Sequence, residues 1–539
     1  MKNKAIRHLE RRAKKNDIAA AFQLYHNYKE GLFVEENSEL SDSYLKQCIS
    51  ILNEFKVGLT NISITDFRRI REANIDLNPK LTVLVGNNGT GKTTILEAAS
   101  YCFGWFNSEV GKNNSTAKSL LESDVNINSA KFADVSIKLK IGDTSISSNL
   151  ARPTEKYPAT IKSNLEEIRM LARAYRTAST VSEINYPLFA YYSVDRSDIK
   201  GIQKSGLNEL NNFPSTLYDG YKKALDGKCD FNEFSTWFLE INNLSNADEI
   251  NSASKIKNEI SVLMSSWNKL KDMKMEAAAK VMKENIEQKK SELSSLLKKS
   301  QPIYKKQLEC TKEAFLSLIP GLTRVGIDRS SGTAEIIFEI FGEKINASKC
   351  SKGQQTVIAL VGDLARRLTL LNSSLENPLH GQGIVLIDEI ELHLHPQWQQ
   401  FILVNLGKTF PNIQFIVTTH SPQILTTVKP ECIRGLKSNN DNKIEVISNF
   451  QFSEGAEAQY VLEEILGVSS RPKIIQAVQN LYRYLELIKE DKWDSDEAKE
   501  LRIYLDSWSG GYEPALIAAD MDIRLRDFRR KKIKNEKNK

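Results

Sequence analysis

At 539 residues the chain is too long for one hydrophobic core and predicts two to four domains. Apolar residues make up 41% and charged residues 26%, as in soluble globular proteins, and no apolar run approaches the roughly 18 residues of a membrane span. The six cysteines (48, 102, 229, 310, 350, 432) form no CxxC pair, which argues against a zinc site and predicts a reducing cytoplasm. The net charge of +6 is uneven: the last 16 residues carry +7 and the rest −1.

The basic N-terminus, MKNKAIRHLERRAKKND, lacks the apolar segment of a secretory signal. Residues 1–52 predict a helical hairpin, with Ala13, Ala20, Phe22, Leu24, Tyr25 and Tyr28 near helical spacing and a break at Gly31. This hairpin resembles a single Sel1-type, tetratricopeptide-like repeat. One such repeat cannot bury its face alone, so it must pack on the body or on a partner. Residues 53–230 read as strands (KVGLTNISITDF, IDLNPKLTVLV, 131–150 and PLFAYYSV) around one glycine-rich loop. A helical insertion is predicted over 231–320, and strands return over 321–450, including GIVLIDE and IQFIVTTH. A helical region (451–523) and a basic tail (524–539) complete the chain. The tail is a candidate nucleic-acid contact or, more simply, a solvated end.

GNNGTGKT (86–93) follows a strand and precedes a helix, which is the context a phosphate loop requires. Glycines at 86, 89 and 91 let backbone N–H groups close around phosphate oxygens, with Asn87, Asn88, Thr90 and Thr94 completing the loop. Lys92 supplies a point charge to the β/γ-phosphates, and Thr93 offers its hydroxyl to Mg²⁺. In IVLIDE, Asp388 at a strand end would hold Mg²⁺, and Glu389 is the natural general base for the attacking water. His420, after a second buried strand, is placed to contact a γ-phosphate. FRRI (67–70) could bring Phe67 and Arg68 to the nucleotide. His393 and His395 invite a metal reading, though an interface role suits the segment better. At Ser351-Lys352-Gly353-Gln354 a second anion-binding turn opens a long helix, and a bare capped helix start is the simpler reading.

Together these motifs resemble the ABC-type ATPases, over about 56–104 and 322–425, and in particular the ABC/OLD-like AAA ATPases of prokaryotic defence systems. The resemblance implies an α/β fold: an ABC-type P-loop head with a mixed sheet, a helical insertion and helical additions at both ends. It implies that ATP and Mg²⁺ bind. It also implies that Ser351 and Gly353 match a signature turn that acts in trans, so that a head-to-tail pair encloses two nucleotides. Cys350 and Lys352 depart from that signature. The expected Q-loop glutamine is missing from YYSVDR (191–196), leaving Asp195, Arg196 or Gln203 as substitutes.

Over the whole chain the best resemblance is to Septu-type ATPase subunits in their retron-associated form. That implies a separately encoded HNH nuclease, PtuB, as partner, and a retron reverse transcriptase with its DNA–RNA product as inhibitory ligand. A RecF/Rad50-like repair ATPase, a self-sufficient OLD-like nuclease and a non-hydrolysing scaffold are the alternatives. A Toprim nuclease built on Glu454, Asp520 and Asp522 is disfavoured because the intervening sequence is helical by period.

Overall fold

The computed structural model describes residues 4–537, apart from 113–115, 130, 155–160, 198–215, 230, most of 248–300 and 330–333. Most of the expected helical insertion therefore lies outside the described residues. The chain divides into two units, Met1–Ala456 and Glu457–Lys539.

The first unit opens with three helices rather than a bare hairpin: α1 (Lys4–Ala13), α2 (Ile18–Glu30) and α3 (Ser38–Glu54). The Asp17 carboxylate caps α2 by accepting from the N–H groups of Ala19 and Ala20, and Gly31 ends it with φ +68°. The apolar faces of α2 and α3 pack on α5 (Glu166–Ser179), and Ile18 N–H donates to Thr144 Oγ1 at 3.1 Å. The N-terminal helices thus bury a face on their own unit.

An antiparallel sheet follows, ordered β2-β1-β4-β5: β1 (Val57–Phe67), β2 (Ile70–Asp76), β4 (Phe132–Ile141) and β5 (Thr144–Pro153). Along β4 and β5, buried and more exposed residues alternate, the signature of a sheet with one packed face. A small meander, β7 (Leu322–Asp328), β8 (Glu335–Ile340) and β9 (Glu343–Asn346), leads towards the capped turn at Ser351.

The central sheet is ordered β13-β12-β3-β11-β10-β6. Its strands β3 (Leu81–Gly86), β6 (Leu188–Tyr192), β10 (Gly383–Ile387), β11 (Ile413–Thr418) and β12 (Ile433–Ser438) run parallel, and β13 (Ile444–Ile447) is antiparallel. LFAYY, GIVLI and IQFIVT are buried at every residue, because helices cover both faces of a parallel sheet. From α4 (Lys92–Gly111), Phe103 and Phe106 reach Phe189 of β6, each with ring centroids 4.8 Å apart. Helix α6 (Phe231–Ala247), α7 (Gln301–Leu318) and the almost wholly buried α8 (Lys352–Leu371) form another packed group. Inside it, Asp363 of α8 accepts from Arg367 Nε at 2.7 Å and from the Tyr192 hydroxyl at 2.9 Å. Burial opposes ionisation of that carboxyl, but the two guanidinium groups of Arg367 and Arg366 win and hold it below the usual carboxylate range.

Three short helices, α9 (Pro396–Gln399), α10 (Ile402–Thr409) and α11 (Pro422–Leu425), belong to the first unit; in the second, α12 (Ala458–Glu464) is followed by α13 (Gln476–Lys489), α14 (Asp496–Ser509) and α15 (Pro514–Lys537). Leu481, Tyr484, Leu487, Leu505 and Leu516 form its core. The basic tail is not a separate segment: its residues continue α15. Asp520 and Asp522 lie on this helix and pair with Arg502 and Arg526. No helix of the described residues is long and apolar enough to cross a membrane.

Candidate nucleotide site

The site lies at the carboxyl ends of β3, β10 and β11, the edge at which open α/β sheets bind ligands. Strand β3 ends at Gly86, and Gly91 stands at the N-cap of α4 with φ +90°. Two glycines here are demanded by space as well as by φ. A Cβ on Gly86 would lie 2.5 Å from the Leu436 carbonyl oxygen, and one on Gly91 would lie 2.8 Å from Ile70 Cδ1. Asn87, Asn88, Gly89 and Thr93 are exposed, Thr94 is half-buried, and Thr90 is buried with its hydroxyl donating to Asn87 O at 2.9 Å. Lys92 is 7% exposed, and its ammonium donates to the carbonyls of Gly86 (2.8 Å) and Asn87 (3.2 Å). Burial lowers its pKa, against the opposing charges of Asp388, Glu389 and Glu391.

The strand-end acids are wired to this loop. Thr93 Oγ1 donates to Asp388 Oδ2 at 2.7 Å, and Thr418 Oγ1 donates to Asp388 Oδ1 at 2.6 Å. The same Thr418 hydroxyl accepts the Glu389 N–H at 2.7 Å. Asp388 is 1% exposed, so its carboxylate is fixed between β3–α4 on one side and β11 on the other. Glu391 accepts from Thr419 Oγ1 (2.7 Å) and from the His420 N–H (2.6 Å), tying the turn after β10 to the turn after β11. The sequence motifs do not point to Thr418 or Thr419. A hydroxyl pair at the end of a buried strand facing two acids was the available signal.

The convergence of the Thr93 hydroxyl and an Asp388 carboxylate oxygen offers hard oxygen donors of the kind Mg²⁺ prefers, so the residues fit that ion. His420 is half-buried, and burial together with the Lys92 charge pushes its imidazole below its ordinary pKa.

Arg68 is placed differently from the expectation. Its guanidinium is spent on Glu97, on Asp124 (3.0 Å) and on the Tyr101 hydroxyl (3.2 Å). The arginine against the loop is Arg69, whose Nη1 lies 3.6 Å from where a Gly89 Cβ would stand. FRRI carried this signal, but its two arginines cannot be told apart by sequence. Of the Q-loop candidates, Asp195 is exposed, Arg196 is buried, and Gln203 lies outside the described residues.

The second turn is built separately. Ser351 caps α8: its Oγ accepts the Gln354 N–H at 3.3 Å, and Gln354 Oε1 accepts the Ser351 N–H at 2.9 Å. Ser351 and Lys352 remain exposed. Gly353 passes so close to the loop after β10 that a Cβ would lie 2.5 Å from the His393 carbonyl oxygen. Ser351, Lys352, Gly353 and Gln354, with His393, His395, Trp398 and Phe341, line a recess of about 510 Å³ that includes no phosphate-loop residue. His395 Nδ1 accepts the Gln397 N–H at 3.3 Å, and among the described residues no His/Cys/Asp/Glu cluster could hold a metal.

A glycine-rich loop between β3 and α4 and a strand-end acid pair on one mixed sheet, with a capped turn opening α8, are the parts of an ABC-type P-loop ATPase head. Residues 58–425 match the AAA ATPase domain model. The "Retron Vc95 probable ATPase" of Vibrio cholerae is 33% identical over 501 residues, covering 91% of this chain and 95% of that protein. The "Retron Ec83 probable ATPase" of Escherichia coli is 30% identical, covering 97% of each. "Septu protein PtuA" of Bacillus mycoides is 30% identical over 193 residues, which is 35% of this chain and 26% of PtuA. The chain belongs to the AAA ATPase domain family, together with the retron ATPases that it matches over nearly its whole length.

Proposed function

We propose that the chain is the ATP-binding and ATP-hydrolysing subunit of an anti-phage defence complex, working as a head-to-tail pair that controls a separately encoded HNH nuclease of the PtuB kind. A retron reverse transcriptase and its DNA–RNA product act as the restraining ligand. The near full-length likeness to two retron ATPases and the partial likeness to PtuA support the defence setting.

The observation that carries the nucleotide chemistry is the hydrogen-bonded chain Thr93–Asp388–Thr418–Glu389. It joins the loop that would cradle the triphosphate to the acid that would accept a proton. Lys92 and the loop N–H groups of residues 86–94 bind the phosphates. Thr93 and Asp388 hold Mg²⁺, which when bound neutralises phosphate charge. Glu389 takes the proton of the attacking water, and His420 hydrogen-bonds the γ-phosphate. Ser351, Lys352, Gly353 and Gln354 close over the nucleotide of the other copy, which explains why one chain carries two anion-binding turns. Closure and opening of the pair are then the signal passed to the nuclease.

Glu389→Gln tests the chemical assignment. The variant should bind ATP with near wild-type affinity and turn it over at least about 100-fold more slowly. Wild-type turnover would remove Glu389 from this role.

A further inference from the structure

We propose that Arg196 is the positioning residue for Glu389: its guanidinium fixes the backbone kink at which that side chain leaves the sheet. The inference rests on Glu389 being the general base.

Strand β10 runs in register between β6 and β11, with Ile387 opposite Tyr192 and Val417. The Asp388 N–H still donates to Tyr192 O at 2.8 Å. At the next residue the chain turns sharply, because Glu389 has φ +44°. A residue with a Cβ avoids this left-handed region, so the surroundings must hold it there. On the β11 side, Thr418 does so, accepting the Glu389 N–H with its hydroxyl and the Ile390 N–H with its carbonyl (3.1 Å). On the β6 side, Arg196 does so, donating Nη1 to Asp388 O and Nη2 to Glu389 O.

Arg196 sits in the single helical turn Val194–Ser197, directly after β6, and is 1% exposed. Its Nη1 also donates to Ser193 O at 3.0 Å, which fixes the guanidinium to its own strand end. These bonds go to main-chain carbonyls, whereas Arg367 holds the Asp363 carboxylate as well as the carbonyls of Gly220 and Lys222. Arg196 therefore governs the direction of a peptide. A planar fork spans two successive carbonyls, and a lysine ammonium does not.

The test compares Arg196→Met, Arg196→Lys, Glu389→Gln and the double variant Arg196→Met/Glu389→Gln in the full chain. Mg-ATP affinity, kcat, KM and thermal midpoint are measured for each. Arg196→Met should lower kcat ~10- to 100-fold with KM and affinity changed less than about twofold, and Arg196→Lys should fall between it and wild type. In the Glu389→Gln background, Arg196→Met should change the residual rate by less than about twofold, because both act on one group. Fully multiplicative losses would overturn the proposal. So would parallel loss of kcat, affinity and thermal midpoint, which marks a purely structural arginine. If Arg196→Met is insoluble, Arg196→Lys decides alone: wild-type kcat overturns the proposal. An active Glu389→Gln enzyme refutes the base assignment, whereas an inactive Glu389→Gln beside a fully active Arg196→Met refutes Arg196 alone.

Discussion

The glycine-rich loop at 86–93 and the turn at Ser351, both within Met1–Ala456, are built in opposite ways. Around the phosphate loop the polar groups are joined within the chain: Thr93 to Asp388, Asp388 to Thr418, Thr418 to Glu389, and Lys92 to two loop carbonyls. The turn at Ser351 is self-contained instead. Ser351 and Gln354 cap one another, the helix behind them is buried, and Ser351 and Lys352 face outward. The first region is preorganised to grip a ligand from one side. The second is a finished surface with a recess beside it. That contrast is expected if each nucleotide is held by the loop of one copy and the turn of another.

The largest effect should separate the two regions outright. Lys92→Ala removes a charge-assisted phosphate contact and should weaken ATP binding on the order of 100-fold or more. Ser351→Arg should leave ATP affinity of the isolated chain within about twofold while abolishing ATP-dependent pairing and turnover. Isothermal titration and light scattering read both. An equal loss of affinity in Ser351→Arg would break the comparison, since it would place both turns on one nucleotide.

Mixing the two inactive variants sharpens it. In a head-to-tail pair, a Lys92→Ala chain keeps an intact Ser351 turn and a Ser351→Arg chain keeps an intact loop. One composite site in each mixed pair is then wild type. Since neither variant pairs with itself in ATP, mixed pairs form preferentially and should restore at most about half of wild-type ATPase activity, one working site in two. No recovery would mean that each chain completes its own site.

A smaller difference should appear in stability. Thr418 is fully buried and serves both Asp388 and Glu389, so Thr418→Val takes a partner from a buried carboxylate oxygen and from a part-buried N–H, at about 1–3 kcal/mol. Ser351→Ala removes an exposed cap and should cost less, about 0.5–1 kcal/mol. Denaturant unfolding followed by circular dichroism ranks the two, and a reversed order would contradict the difference in wiring.

Both regions were legible in sequence to different depths. The phosphate loop could be read whole because its constraints are local: glycines where a Cβ would collide, a lysine, a threonine, and a strand before and a helix after. The buried strands LFAYY, GIVLI and IQFIVT were equally plain, since a run with no polar face has only one place to go. What escaped depends on contacts between distant segments. Nothing local in FRRI says that Arg68 will be captured by Glu97 and Asp124 while Arg69 flanks Gly89. Nothing in SVDR says that its arginine will reach across to the carbonyls of Asp388 and Glu389, 192 and 193 residues away. Helix α15 runs on into the basic tail because Lys and Arg are themselves good helix formers.

The smallest effect concerns His420, and its sign follows from its neighbours. Burial and the Lys92 ammonium disfavour the imidazolium, and Glu391, Glu389 and Asp388 only partly offset them, so the imidazole titrates below its ordinary value of about 6.5. It is then neutral at pH 7. Because the folded pKa is the lower one, the stability linked to this group is present above the unfolded value and is lost as pH falls through the folded pKa. Proton NMR of the nucleotide-free chain should give a midpoint below 6.5. Lys92→Ala should raise that midpoint by removing a positive charge, and bound ATP should raise it by adding negative charge. Ser351→Arg should leave it in place, since that turn belongs to the other region of the chain. A midpoint that moved with Ser351 in the isolated, nucleotide-free chain would show that the two turns already share one electrostatic environment, and the division between a gripping loop and an outward-facing surface would not hold.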